Sequence, residues 1–130
     1  MKPALAPSPP ALIDDAAAQH AVRYIITRQF FGTAAVVVVD DQTSMVDVLY
    51  NCCRFMSHES CGQCTPCREG TAWMYKVVHR IENGLGKPED LDLLNSVLGN
   101  IMGRTICALG DAAALPVQSF LKHFGSEFEY

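Results

Sequence analysis

Residues 60–84 read SCGQCTPCREGTAWMYKVVHRIENG. Three cysteines, Cys61, Cys64 and Cys67, stand at gaps of two residues, and the residues after them have the pattern of a helix. Thr65 followed by Pro66 predicts its start, because a threonine oxygen can accept an orphan amide and proline lacks the amide that would go unpaired in the first turn. Met74, Val77, Val78 and Ile81 then recur as a core stripe, with Tyr75, Lys76, His79 and Arg80 outside it. Gly84 suits a left-handed C-cap, so the helix is expected to end near Asn83. Cysteine loop and helix thus form one unit, with Cys67 in the helix's first turn.

Working outward, Ser44 with Asp47 three residues later makes a capping box before an apolar run. The helix it opens is expected to bury Met45, Val46, Val48, Leu49, Cys52, Cys53, Phe55 and Met56, leaving Asp47, Tyr50, Asn51, Arg54, Ser57 and His58 on the other face. On the far side, Pro88, Glu89 and Asp90 open a third helix with Leu91, Leu94, Leu98 and Ile101 in register before Gly103. Pro116 is expected to open a fourth, with Val117, Phe120, Leu121 and Phe124 on its core side and Gly125 ending it. Upstream, GTAAVVVVDD at 32–41 reads as a strand, because its β-branched run is short and bounded by Gly32 and two aspartates. Ala16–Arg28 could be a short helix. The fold class expected is mainly α: a four-helix bundle over residues 42–130, preceded by a short β segment at 32–41 and a Pro/Ala-rich leader and uncertain segment at 1–31.

With 130 residues the chain suits one domain, and a net charge of −4 with no Lys/Arg stripe gives no reason to seek a nucleic-acid partner. Four prolines and the acidic Asp14 and Asp15 interrupt the first 19 residues, which argues against a signal peptide. The apolar run from Phe30 to Val39 is far shorter than the ~20 residues that cross a bilayer, so no direct membrane insertion and a cytoplasmic location are expected. In a reducing compartment, clustered cysteines read as ligands rather than disulfides.

Three thiolates in a compact loop, with Gly62 supplying backbone freedom, can fill three corners of a [4Fe–4S] cubane. Cys107, in the loop before the fourth helix, can supply the fourth if the intervening helices form a returning hairpin. Cys67 in a helix's first turn places orphan amides and the positive end of the macrodipole by the sulfurs, and Arg68 adds a positive charge. A structural zinc site is the alternative, although zinc usually takes two cysteine pairs rather than a triplet and a lone cysteine. Cys52 and Cys53, on an apolar face, read as small buried hydrophobes. His20, His58, His79 and His123 have no evident ligand partner, though His58 borders the cysteine loop. No catalytic side-chain constellation stands out.

HESCGQCTPCREG at 58–70 and RTICALGDAAALPVQSFLKHF at 104–124 resemble the carboxy-terminal part of the NADH-binding, FMN-carrying F subunit of respiratory complex I, the NADH-quinone oxidoreductase. The resemblance implies that Cys61, Cys64, Cys67 and Cys107 bind that family's [4Fe–4S] cluster, which takes single electrons from FMN after NADH has reduced the flavin. It also implies that 32–41 is the closing strand of a truncated ubiquitin-like domain. The family's FMN and NAD sites lie upstream in a Gly-rich domain with no counterpart in this sequence. Those cofactors would therefore sit on the missing part or on a partner, an FMN/NADH-binding polypeptide among the other peripheral-arm subunits, peripheral to the inner membrane, and the chain is not expected to oxidise NADH alone. Flavin subunits of NAD-linked hydrogenases and formate dehydrogenases are the alternative within this class.

Overall fold

The computed structural model describes residues 22–24, 38–40 and 42–129. Val22–Tyr24 (β1) and Val38–Asp40 (β2) form an antiparallel ladder with Val22 opposite Asp40 and Tyr24 opposite Val38. β1 falls inside the segment that reads as a possible short helix: Val22 is β-branched and Tyr24 aromatic, and both suit a strand once a partner is paired. The remainder of the leader, and residues 32–37 and 41 of the expected closing strand, lie outside the described residues.

Four helices follow among the described residues: α1 (Met45–Glu59), α2 (Thr65–Glu82), α3 (Glu89–Ile101) and α4 (Leu109–Phe124). Each packs on its neighbours in sequence and α1 closes on α4, so the chain forms a four-helix bundle. The core is built from Met45, Leu49, Met74, Val78, Leu94, Leu98, Ile101, Val117 and Phe120, all nearly or fully buried. Fully burying each such side chain contributes about 1.5–3 kcal/mol against leaving it in water. α2 and α3 approach closely at Gly70, where an added Cβ would lie 2.5 Å from Ile101 Cδ1.

The helix ends follow their sequences with two exceptions. Ser44 caps α1, its Oγ accepting the Asp47 amide at 3.4 Å. α2 stops at Asn83 in a Schellman motif: Gly84 takes φ +71°, its amide donates to Ile81 and the Leu85 amide donates to Arg80. At the other end of α2, however, Cys64 and not Thr65 is the N-cap, and no side chain caps it. Thr65 and Pro66 are the first two helical residues, a shift of one that proline tolerates because its missing amide is an orphan at either place.

The larger correction concerns α4, which begins at Leu109 and carries Pro116 in its interior. Proline is an N-terminal signal, but the preceding Ala108–Leu115 is rich in alanine and leucine, the strongest helix formers. Burial of Ala113, Ala114 and Pro116 itself outweighs the hydrogen bond that proline forfeits. Two side-chain placements also differ from expectation. Phe55 is 58% exposed, because it sits at the edge of the apolar face near the end of α1. Tyr50 is half-buried instead of solvated, with its ring 5.6 Å from Tyr75 and 5.4 Å from His79. Past α4, a short 3-10 turn (Gly125–Glu127) returns Phe128 into the core, and the Glu127 carboxylate accepts the Met45 amide at 3.1 Å.

Between α2 and α3 a bidentate ion pair joins Arg80 to the buried Asp90, which also accepts the Lys87 amide at 2.8 Å. Burial alone would push the Asp90 carboxyl up. The Arg80 hydrogen bond, the Lys87 amide and the two positive charges outweigh that and hold it below its ordinary 3.8. A carboxyl lowered by folding stabilises the native state above its unfolded pKa and loses that contribution as pH falls through the folded value. Asp90→Ala is therefore expected to cost about 1–2 kcal/mol at neutral pH. In thermal melts the gap between variant and wild type should begin to narrow below about pH 4; a gap unchanged at about pH 3 would contradict the assignment.

Candidate metal centre

The three-cysteine loop connects α1 to α2 and its shape is set by local chemistry. Gly62 takes φ +79°, a left-handed turn that an L side chain adopts only with strain. Arg68, one turn into α2, reaches back so that Nη1 donates to the Gly62 carbonyl at 2.8 Å. Its Nε donates to Glu69 Oε1 at 2.9 Å. Arg68 thus pins the loop, and its charge is shared with a neighbouring exposed carboxylate instead of standing free at the sulfurs, as the sequence alone suggests. Cys64 sits at the N-cap and Cys67 at the third position of α2, whose first turn holds no acidic residue.

The second loop, between α3 and α4, carries Cys107. Gly103 follows the C-cap of α3 with φ +68°, and its amide donates to Asp111 Oδ1 at 2.8 Å. Thr105 Oγ1 donates to the Cys107 carbonyl at 2.8 Å. Gly110 lets this loop lie against α4: a Cβ there would meet Thr105 Oγ1 at 2.5 Å and Thr105 Cγ2 at 2.6 Å.

The two loops meet. The Ile106 amide donates to Cys64 Sγ at 3.4 Å across 42 residues of sequence, which brings the residue beside Cys107 onto the triplet loop. Ser60 Oγ lies 3.3 Å from Cys67 Sγ. Cys67 is buried, Cys64 half-buried, and Cys61 and Cys107 are exposed. No three His, Cys, Asp or Glu side chains among the described residues close into a group able to hold a single metal ion. A tetrahedral zinc shell needs sulfurs about 3.8 Å apart, from Zn–S bonds of about 2.3 Å. The donor set fits an iron–sulfur cluster, since thiolates are the ligands of such clusters and an amide donor already lies on one of the sulfurs.

The remaining candidates separate from this site. Cys53 is buried and Cys52 half-buried on α1, and burial pushes the Cys52 thiol up to about 11 and that of Cys53 higher still, so both stay protonated at neutral pH. His58 is exposed and bonds Glu59, while His79 and His123 are exposed; His20 lies outside the described residues. Ser60 and Ile106, like Thr105, Gly110 and Asp111 around the Cys107 loop, are not singled out by the sequence pattern. Ile106 acts through its backbone amide, which no side-chain pattern encodes, and the signal for Ser60 is only its place beside Cys61. Ile106 itself is 87% exposed.

The profile of the NADH-ubiquinone oxidoreductase-F iron–sulfur binding region matches residues 47–130. The NADH-quinone oxidoreductase F subunit of Rhodobacter capsulatus is 50% identical over 99 residues, which is 76% of this chain and 23% of that protein. The mitochondrial NADH dehydrogenase (ubiquinone) flavoprotein 1 of Dictyostelium discoideum is 49% identical over 102 residues, 78% of this chain and 21% of that protein. Among solved structures, an NAD+-reducing nickel–iron hydrogenase in the H2-reduced state superposes with a TM-score of 0.69 at 35% identity, over 72% of this chain and 16% of that one. The chain spans less than a quarter of the length of these curated relatives. No helix among the described residues is long and apolar enough to cross a membrane.

Proposed function

Because the chain belongs to the NADH-ubiquinone oxidoreductase-F iron–sulfur binding region family, we propose that it is the electron-transfer domain of an NADH-quinone oxidoreductase flavin subunit. Cys61, Cys64, Cys67 and Cys107 hold one [4Fe–4S] cluster, and FMN and NAD are bound outside these 130 residues. The single observation that carries this reading is the Ile106 amide on Cys64 Sγ, which joins the lone-cysteine loop to the triplet loop.

When bound, the cluster supplies one-electron storage and transfer. The chain's own residues make that chemistry possible in three ways. The uncapped, acid-free N-terminus of α2 puts positive dipole charge under Cys64 and Cys67, where negative charge gathers. Gly62 and Arg68 fix the triplet loop, and Asp111 and Thr105 fix the Cys107 loop, so both cysteine-bearing loops are shaped before the metal arrives. Exposed Cys61, Cys107 and Ile106 leave one side of the site open to a partner that delivers electrons. The curated relatives named as NADH-quinone oxidoreductase or NADH dehydrogenase subunits match at about 50% identity, which supports the quinone-linked reading.

The test is anaerobic reconstitution of the whole chain, followed by iron and sulfide analysis, low-temperature paramagnetic resonance and an NADH-dependent dye assay. The expected result is about four irons and four sulfides per chain, a reducible paramagnetic signal, and no NADH oxidation until a flavin-binding partner is added. Stoichiometric zinc without labile sulfide would leave a structural zinc module in its place, and NADH oxidation by the pure chain would refute the dependence on a partner.

A further inference from the structure

Resting on that ligand assignment, we propose that Ser60 is a positioning residue for electron transfer: its hydroxyl donates to Cys67 Sγ and raises the reduction potential of the cluster. Ser60 ends α1 in an extended conformation, φ −63° and ψ 119°, and this turn brings its Oγ to 3.3 Å from Cys67 Sγ in the first turn of α2. Between a hydroxyl and a free thiol either atom could donate. A thiolate bound to iron carries no proton, so with metal in place the serine is the donor and the sulfur the acceptor.

The direction of the effect follows from charge. Reduction places an added electron on the iron–sulfur body and raises the electron density on its sulfurs, so an O–H···S bond is stronger in the reduced state and favours it. Its size follows from burial. Cys67 is 6% exposed and is the most buried of the four cysteines, whereas Cys61 and Cys107 are exposed. Water already solvates those two sulfurs and would compete with a serine there; at Cys67 the hydroxyl acts where the dielectric is lowest and water is scarce. Ser60 is thus aimed at the sulfur where one donor counts most. It joins the Ile106 amide on Cys64, so both thiolates carried by the start of α2 receive a donor.

A hydroxyl that only shaped the turn would affect stability and leave the potential alone, so the experiment is a redox titration, followed by paramagnetic resonance, of the reconstituted full chain carrying Ser60→Ala, Ser60→Thr or Ser60→Val. Iron and sulfide per chain are measured first. The Ala and Val variants are expected to keep the cluster and to titrate at a more negative potential, with the reduced-to-oxidised ratio at a fixed potential roughly three- to tenfold lower than wild type; tenfold is about 59 mV for a one-electron couple. The Thr variant, isosteric with Val but keeping the hydroxyl, should stay near wild type. Loss of the cluster from Ala and Val with retention in Thr would make the hydroxyl a support of cluster occupancy and overturn its assignment to the potential. Wild-type potential in Ala and Val with the cluster intact, or cluster loss in all three variants, would overturn it. A wild-type chain that takes up no cluster at all would instead sink the ligand assignment, and the role of Ser60 with it.

Discussion

Replacing Cys107 with Ser is expected to lower the iron content of the reconstituted chain from about four to three or fewer and to loosen the start of α4, whereas Cys52→Ser and Cys53→Ser leave the iron content unchanged. In the proposed ligand set the three clustered cysteines would reach one centre through the local geometry of a single loop. Cys107 would reach it only because α2 and α3 carry the chain back, and the Ile106 amide on Cys64 Sγ puts the two loops in contact. Its sulfur would therefore tie together parts of the bundle that are far apart in sequence, and metal binding would be coupled to their packing. Cys52 and Cys53 are held as protonated thiols in an apolar setting, so serine there costs about 1–2 kcal/mol of desolvation and packing and removes no ligand. Iron analysis and paramagnetic resonance on each variant decide the matter. An unaltered four-iron signal in Cys107→Ser, with loss in either of the other two, would mean that the ligand set is wrong.

Gly110→Ala is expected to destabilise the chain by about 2 kcal/mol, which lowers the melting temperature by roughly 10 °C, and to reduce cluster occupancy at the same time. Helix propensity alone predicts the opposite sign, since alanine outranks glycine by up to about 1 kcal/mol inside a helix. The clash decides: the new Cβ would sit 2.5 Å from Thr105 Oγ1, 2.6 Å from Cγ2 and 3.0 Å from Cβ, so the whole threonine must move and not only a flexible tip. Thr105 is the residue that holds the Cys107 carbonyl, and displacing it displaces the proposed ligand loop. Gly99→Ala is the matched control, on α3 with nothing within 4 Å of the added atom; there the propensity gain should appear unopposed. Thermal melts of both variants, with and without metal, check the prediction, and a stabilised Gly110→Ala would contradict it.

Much of this architecture is legible in the sequence because it is written in local chemistry. The Ser44 cap, the 74–81 core stripe, the left-handed Gly84 and the apolar register of α3 each depend on a few neighbouring residues, and each is found where its pattern puts it. The misreadings come where tertiary packing overrides a local signal. Pro116 reads as a helix start, yet α4 runs through it because the flanking alanines and the proline itself are buried. Phe128 gives no sign of being core, since its burial depends on a turn folding back across the bundle toward Met45. At the cysteine site the thiols are visible as a spacing, whereas their donors are not: one is a main-chain amide 42 residues away, and the other is an ordinary serine whose meaning depends on where α1 stops.

The interior position of Pro116 also bears on how the chain moves. Proline offers no N–H to the carbonyl of Ala112, so the hydrogen-bond ladder of α4 has a seam between its first two turns and the rest. The segment before the seam, Leu109–Leu115, stays in place chiefly through the burial of Gly110, Ala113 and Ala114, all of them small residues with little apolar surface to hold it. The segment after it is anchored by Val117 and Phe120 in the centre of the core. The seam is therefore where partial opening is expected to stop: in hydrogen exchange the amides of the early turns of α4 and the Cys107 loop should lose protection together, before those of α1, α2, α3 and the end of α4.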